Sequence, residues 1–285
     1  MLKKPTTYEE QIKKLKDLGF IIADEAFCKD VLSRISYYRL SAYFLVFKQP
    51  DGTYTPGVDF RTIFNLHEFD RKLRRLIFTA LEELEIYVRA QLSYQHTHNY
   101  GADGYKNPNN FNSRHNHNDF TLRLDDLVKT SNKLSFVNHH INKYGGNFPL
   151  WVIMELFTFG MLSYFYAEML TTDQKSLAHN VFIASVNDVK SWLYCCTNLR
   201  NMCAHSQRLY NSVFSVIPAN ISQVNPSSER KLFASVMALQ RLYPCTKTWN
   251  NDFISDIKSL FEKYSDDVVL DYIGFPNDWE ICIKK

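Results

Sequence analysis

One helical pattern, over residues 60–96, constrains the fold more than any other feature of this sequence. Apolar residues recur there at every third or fourth position through about ten helical turns. The apolar positions are Ile63, Leu66, Phe69, Leu73, Leu76, Ile77, Ala80, Leu84, Tyr87, Val88 and Leu92. This spacing predicts a single long helix. The 285 residues include only 9 glycines and 9 prolines, too few for a turn-rich β-protein. We therefore predict an all-α fold.

Shorter helical patterns lie on both sides of the long one. The patterns before it, at residues 8–18, 25–34 and 37–47, predict an N-terminal helical extension over residues 1–56. The patterns after it lie at residues 120–144, 149–170, 172–181, 186–208, 228–242 and 250–264, so that residues 57–285 form the main helical domain. The intervening Asn- and Gly-rich stretch near residues 99–118 predicts a long polar loop.

The cysteines and the apolar runs predict a cytoplasmic protein that does not enter a membrane. The six cysteines show no disulfide framework, no CxxC pair and no preceding signal peptide. The longest apolar stretch, "FPLWVIMELFTFGMLSYFY" from Phe148, is interrupted by Glu155 and ends in tyrosines, so we predict a buried helix. Histidine pairs such as His115 and His117 lack further ligands at fixed spacing, and no glycine-rich phosphate loop occurs. We expect no metal and no cofactor.

The segment "LRNMCAHS", residues 199–206, carries the polar groups best suited to chemistry. Arg200 and His205 are five positions apart and point about 140° away from each other on a regular helix. Four residues share a different stripe that a helix could expose along one edge: Asn198, Asn201, His205 and Arg208. Arginine stabilises phosphate charge, and imidazole transfers protons near neutral pH. The pair suits RNA cleavage by the 2′-hydroxyl without a metal. The alternative is a helix end at which His205 binds a backbone carbonyl.

A resemblance extends along most of the chain, from about Tyr8 to Trp279. The segments that carry it are, in order, "YEEQIKKLKDLGFIIAD", "ISYYRLSAYF", "FDRKLRRLIFTALEELEIYVRAQL", "FPLWVIMELFTFGMLSYFY", "WLYCCTNLRNMCAHSQRLYN" and "YIGFPNDWE". In this combination they resemble the bacterial Abi family of abortive-infection proteins. "RNMCAH" itself resembles the Arg-x4-His signature of the HEPN superfamily of helical ribonucleases.

The resemblance implies a HEPN-like helical bundle that acts as a homodimer, with the motifs of two protomers in one composite cleft. It implies a metal-independent endoribonuclease that leaves a 2′,3′-cyclic phosphate and a 5′-hydroxyl, in defence against phage. Arg200 would bind the phosphate, His205 would transfer protons and Asn201 would position the substrate. RNA is the implied partner, both as the substrate and as a small non-coding RNA that regulates the protein.

Supporting groups are expected on two other helices. Glu85 is a candidate to orient His205, although an ordinary intrahelical pair with Arg89 is the default interpretation. Glu155 is the stronger candidate, because a carboxylate buried in so apolar a helix needs a partner, for which Arg89, Arg200 and His205 are available. Asn198 extends the motif stripe.

Candidate RNA-binding residues form two clusters, one in the long helix and one in the N-terminal extension. They are Arg71, Arg74 and Arg75 in the basic run, Tyr37, Tyr38 and Arg39 in "ISYYRLSAYF", and Arg208 after the motif. Arginines bind phosphates, and aromatic rings interleaved with arginine stack on unpaired bases. The same residues also suit a solvated helix face and simple packing.

The sequence is also compatible with two other functions. A non-catalytic HEPN module would hold a regulatory RNA or neutralise a toxin. A DNA-binding regulator would use the N-terminal helices.

Overall fold

The computed structural model describes residues 4–285 and is built around one long helix, α4 (Phe60–Tyr100). The Asp59 side chain accepts a hydrogen bond from Arg61 N (2.7 Å) at its start, and Gly101, at φ +82°, ends it. The other helices are α1 (Tyr8–Asp17), α2 (Glu25–Arg34), α3 (Tyr37–Phe44), α5 (His117–Thr130), α6 (Ser135–Tyr144), α7 (Leu150–Ile153), α8 (Phe159–Glu168), α9 (Thr171–Asn180), α10 (Val186–Ala204), α11 (Leu232–Leu242), α12 (Thr246–Thr248), α13 (Ile254–Lys263) and α14 (Trp279–Cys282). Within residues 4–285 the only β-pairing is in isolated bridges, so the all-α prediction is confirmed.

The core lies around α4, which buries one stripe along its whole length. Ile63, Leu73, Leu84 and Leu92 on this stripe are at most 1% exposed. α10 packs against α4, α8 and α11, and one hydrophobic cluster continues from α1 to the C-terminal segment. Burial of each such aliphatic side chain contributes about 1.5–3 kcal/mol to stability. The predicted long helix is confirmed, and it extends four residues beyond its predicted end.

The N-terminal helices share this core. Each starts at a side-chain cap: Thr7 forms a capping box with Glu10, and Asp24 and Ser36 begin α2 and α3. The Phe27 ring of α2 packs edge-on against Phe64 of α4, with ring centroids 5.3 Å apart. The hydrophobic contact between α2 and α4 therefore joins the extension to the long helix.

The predicted helix over residues 149–170 is wrong in the middle. The chain forms α7, then a 3₁₀ turn at Met154–Leu156, then an extended Phe157 and a new start at Thr158, whose hydroxyl accepts from Met161 N. The break is stabilised from α4, where Arg89 donates to the carbonyl oxygens of Met154 (2.9 Å) and Phe157 (3.1 Å). A charged donor thus satisfies backbone groups that a continuous helix would have paired internally.

The structure differs from two other predicted helices, from one at its centre and from the other at its C-terminal end. The segment 120–144 divides into α5 and α6 at Ser131, which leaves helical geometry. The helix predicted for 186–208 stops at Ala204, and Ser206 takes a left-handed φ of +53°. The polar loop predicted near 99–118 spans residues 101–116, with two 3₁₀ turns, and it buries Tyr105 and Phe111 in the core.

No helix formed by residues 4–285 combines the length and the apolar character that a bilayer crossing requires.

Candidate functional site

The motif lies at the C-terminal end of α10. Leu199 and Cys203 face the core, while Asn201 and His205 are exposed. His205 is the residue that ends the helix, and its backbone N–H donates to Asn201 O at 2.9 Å. The main chain of His205, rather than its ring, therefore caps the helix. Its imidazole faces solvent at the point where the chain turns away.

Arg200 lies beside α4, with its side chain 30% exposed. Its Nε is 3.4 Å from Glu85 Oε2, an ion pair without hydrogen-bond geometry, and its guanidinium lies 6.0 Å from the Phe78 ring centroid. Glu85 also accepts a hydrogen bond from Arg89 Nη2 at 3.2 Å. The predicted pair of Glu85 with Arg89 is confirmed. Glu85 lies within ion-pair distance of Arg200, the other residue of the motif.

The prediction that Glu155 is buried is wrong. Its side chain is 57% exposed, and its nearest cation, Arg89 Nη1, is 4.0 Å away. The reason is the break after α7, which puts Glu155 in a 3₁₀ turn instead of the interior of an apolar helix. A solvated carboxylate needs no ion-pair partner. Arg89 instead donates hydrogen bonds to the carbonyl oxygens of Met154 and Phe157 at the break.

A cleft of about 730 Å³ opens next to the motif, and we call it the five-arginine cleft. It lies between the α2–α3 junction, one face of α4 and the end of α10. Its lining residues are Arg34, Ile35, Ser36, Arg39, His67, Arg71, Arg74, Arg75, Phe78, Thr79, Cys203, Ala204 and Ser206. Five of these are arginines and none is a carboxylate, so the cleft is suited to bind an anion.

The arginines of the cleft are held in different ways. Arg74 forms a buried ion pair with Asp70 and donates to Gln207 O (3.1 Å). Arg71 makes two hydrogen bonds to Glu68, of 3.0 and 2.7 Å.

The remaining three arginines differ in whether their guanidinium groups already have a partner. Arg34 pairs with Asp30 at 2.5 Å, and Arg39 donates to Ser206 O at 2.7 Å. Arg75 is exposed, and its side chain has no hydrogen-bond or ion-pair partner among residues 4–285. Arg39 and Arg75 thus have no carboxylate partner within the described chain.

The cleft lies next to both residues of the motif. Phe78 lines it and lies next to Arg200. Ala204 and Ser206, the two neighbours of His205 in the chain, also line it. Arg200 and His205 thus adjoin residues of the cleft wall, but neither belongs to the lining itself.

Other predicted residues lie outside the cleft lining. Arg208 lies beyond the end of α10 and donates to Ala42 O, so its predicted place on the motif stripe is wrong. Asn198 is half-buried and donates to Tyr194 O (2.9 Å). Tyr37 packs edge-on against Phe44 at 5.7 Å. Tyr38 is 87% exposed and free to stack on a ligand.

Sequence reasoning missed His67, which lines the cleft although it is only 4% exposed. His67 precedes Arg71, Arg74, Arg75 and Phe78 by four, seven, eight and eleven residues. Residues with these separations lie on the same face of a helix. Extending the basic run backwards by one turn would have found it. Burial is the main cause that lowers the pKa of His67, so the imidazole is neutral at neutral pH.

Within residues 4–285, no three His, Cys, Asp or Glu side chains come together as a set of metal ligands.

These features define an all-α protein with a cationic cleft beside an Arg-x4-His helix end. A family model described as Abi-like protein matches residues 30–211, more than half of the chain, and the chain therefore belongs to that family. The matched region begins in α2 and ends just after the motif, so it includes all the arginines of the cleft. Neither a curated protein nor a solved structure matches the chain.

Proposed function

We propose that this protein is a metal-independent endoribonuclease of a bacterial abortive-infection system. The observation that carries the proposal is that Arg200 and His205 lie next to residues that line the five-arginine cleft: Arg200 beside Phe78, and His205 between Ala204 and Ser206 in the chain. A cationic cleft supplies affinity for a polyanion, and the two motif residues supply the groups that transesterification needs. Membership of the Abi-like family supports the link to abortive infection.

The chemistry follows from what each group can do. The ribose 2′-oxygen attacks the adjacent phosphorus, the P–O5′ bond breaks, and a 2′,3′-cyclic phosphate and a 5′-hydroxyl result. Arg200 stays protonated, so its role is to stabilise the charge that develops on the phosphate oxygens. The His205 side chain is exposed, and an imidazole can both take and give a proton, so His205 transfers the proton that leaves the 2′-hydroxyl or the one that the 5′-oxygen gains. Asn201 positions the strand through its amide.

Glu85 acts through Arg200. A carboxylate 3.4 Å from Arg200 Nε directs the guanidinium along α4 and leaves its other nitrogens for the phosphate. Glu85 is thus a positioning residue.

A second copy of the chain completes the site in this proposal. Tyr194, Asn198, Asn201 and His205 lie on one stripe of α10, and the Tyr194 side chain is half exposed there. The HEPN resemblance implies that two such stripes meet, so that His205 of one protomer faces Arg200 of the other. This arrangement would overcome the 140° between the two side chains on one helix.

The test is cleavage of labelled single-stranded RNA in EDTA. We expect wild type to cut and to leave cyclic-phosphate ends, and Arg200→Ala and His205→Ala to lose about 10²–10⁴ in rate, the usual contribution of one such group. The matched controls are Arg123→Ala and His139→Ala, exposed residues that lie outside the cleft lining. Undiminished cutting by His205→Ala, or activity that disappears in EDTA, would contradict the proposal.

The second candidate is a non-catalytic module that holds a small regulatory RNA or neutralises a toxin. The favouring observation is that five arginines and no carboxylate line the cleft, a charge that would attract RNA whether or not the motif reacts. This candidate predicts equal RNA binding by wild type and by the Arg200→Ala, His205→Ala double variant, with no cutting by either. Sequencing of the nucleic acid that co-purifies with the protein would identify a bound regulator.

A further inference from the structure

We propose that the five-arginine cleft distinguishes RNA from DNA: its arginines bind backbone phosphates, and His67 accepts a hydrogen bond from a ribose 2′-hydroxyl. The inference rests on the proposed function for its choice of a nucleic acid ligand. It adds the residue that selects the sugar and the role of the N-terminal helices, which form one wall of the cleft.

The charge of the cleft supports a phosphate ligand. Three of its five guanidinium groups are balanced by carboxylates that do not line the cleft: Arg34 by Asp30, Arg71 by Glu68 and Arg74 by Asp70. The other two, Arg39 and Arg75, leave an excess of positive charge that no described carboxylate offsets. Even the paired arginines keep N–H donors that their carboxylates do not use. A cleft of about 730 Å³ is of the size that holds a ligand of about one or two nucleotides.

The cleft also has features that suit a ribonucleotide beyond its phosphate. Phe78 is 36% exposed at the rim and offers a ring face to a base. Ser36, whose hydroxyl caps the first turn of α3, also lines the cleft, and the N-terminus of a helix favours an anion.

His67 is the unusual group in this surface. It is 4% exposed, its ring packs edge-on against Tyr43 at 5.5 Å, and its Nδ1 is shielded from solvent without a hydrogen bond. The carboxylate oxygen Glu68 Oε1 lies 3.4 Å from Nδ1. Burial lowers the pKa of this imidazole, and the cations of Arg39 and Arg74 act in the same direction against the opposing effect of the Glu68 carboxylate. A neutral imidazole has one N–H and one lone pair, and their assignment decides what it can bind.

The carboxylate of Glu68 decides that assignment. A negative oxygen near Nδ1 attracts a proton there and repels a lone pair, so the N–H belongs on Nδ1. The lone pair is then on Nε2. Because His67 lines the cleft and its Nδ1 is shielded from solvent, we assign Nε2 as the nitrogen that meets a ligand there. Phosphate oxygens only accept hydrogen bonds, so they bind the arginines and not this nitrogen. A ribose 2′-hydroxyl can donate to it, and DNA has no such group.

The experiment measures binding of oligouridine strands to full-length protein that carries His205→Ala, which removes cleavage. Three ligands are compared: RNA, its 2′-deoxy counterpart and its 2′-fluoro counterpart, which keeps an RNA-like sugar but cannot donate a hydrogen bond. We expect RNA to bind about threefold to tenfold more tightly than either of the others, the usual effect of one hydrogen bond. The ligand comparison does not depend on whether any cleft variant folds.

Variants then separate the two roles within the cleft. His67→Phe should abolish the preference for RNA and leave DNA affinity unchanged, and His67→Gln, whose amide oxygen can accept, should retain part of it. Arg75→Gln should weaken RNA and DNA equally and reduce the slope of log affinity against log salt by about 0.7, the loss of one phosphate contact. The matched control is Arg123→Gln, an exposed arginine outside the cleft, which should change neither.

The outcomes distinguish this inference from the proposed function. Equal affinity for RNA and 2′-fluoro RNA, or a preference for RNA that survives in His67→Phe, would overturn the role of His67. Unchanged affinity and salt slope in Arg75→Gln would overturn the phosphate site. Selective binding without any cleavage by wild type would support the cleft while refuting the ribonuclease.

Discussion

Asp70 is the buried residue on which the geometry around the motif most depends. Its carboxylate is fully buried and accepts hydrogen bonds from Tyr43 Oη (2.7 Å) and from the backbone N–H groups of Leu209 (3.1 Å) and Tyr210 (2.9 Å), besides its ion pair with Arg74. One side chain thus joins α3, α4 and the segment that follows the motif. The contact stabilises the fold and also sets where the cleft lies relative to His205.

We expect Asp70→Ala to lower the free energy of unfolding by about 3–5 kcal/mol. The substitution leaves the Arg74 cation and two backbone N–H groups buried without their acceptor, which costs more than the loss of one neutral contact. Urea denaturation at pH 7 measures the change. The control is Glu82→Ala, an exposed carboxylate on the same helix, which should shift the value by less than about 0.5 kcal/mol. Similar midpoints for the two variants would show that the Asp70 network adds no stability.

At the scale of the elements, α4 holds two different environments along its length. Its first half faces the N-terminal helices and the cleft through a polar stripe, and its last turns pack into the segment 101–116. His96 lies in those last turns, is fully buried and contacts the rings of Phe111 (5.3 Å) and Phe165 (5.2 Å). Both of its ring nitrogens lack a hydrogen-bond partner in the described chain.

Desolvation lowers the pKa of His96 to about 4, well below the 6.5 of a free histidine. The unfolded chain therefore takes up a proton at this position before the folded chain does, and stability falls as the pH drops from about 6.5 towards 4. Between pH 7 and pH 5 we expect this residue alone to remove about 2 kcal/mol of unfolding free energy.

His96→Phe keeps the ring and removes the titration, so the variant should lose about 2 kcal/mol less than wild type over that pH interval. Urea unfolding at the two pH values gives the comparison. His98→Phe changes an exposed histidine of the same helix and should leave the wild-type pH dependence intact. If the His96→Phe and wild-type curves are parallel, the imidazole does not control acid stability.

At the scale of the whole molecule, the N-terminal helices and the remaining chain share one core. Phe27 packs on α4, Arg39 donates to Ser206 O and Arg208 donates to Ala42 O, so hydrogen bonds run in both directions between the two parts. One wall of the five-arginine cleft belongs to the extension.

A chain that begins at residue 57 should therefore lose its cooperative thermal transition and its affinity for RNA. Removal of α1–α3 exposes the α4 face that they cover, and the loss is on the scale of the whole stability of a domain, about 5–15 kcal/mol. Circular dichroism on heating and an RNA titration test both effects. A chain shortened by residues 1–5 alone keeps Thr7 and its capping box and should melt like wild type. A cooperative melt of the 57–285 chain would show that it folds independently.

Local patterns in the sequence predicted the long helix and the family, although they did not predict the breaks at Ser131 and after α7. The three-and-four spacing predicted α4, residues 25–34 became α2 at the predicted bounds, and the resemblance to the Abi family agrees with the match over residues 30–211. These properties depend on residues near one another in the chain, because helical periodicity repeats within one or two turns. The basic run was visible for the same reason.

Tertiary structure decided how those helices meet, and with that the shape of the site. Arg34 and Arg39 line the cleft with Arg71 only because α2 and α3 fold back on α4, and no spacing in the sequence predicts that contact. The exposure of Glu155 follows from carbonyl groups that Arg89 binds from another helix, and the burial of His67 follows from the helices packed around it. The hydrogen-bond partners of backbone groups and the burial of side chains depend on residues that are distant in sequence. A helical pattern therefore could not predict either of them.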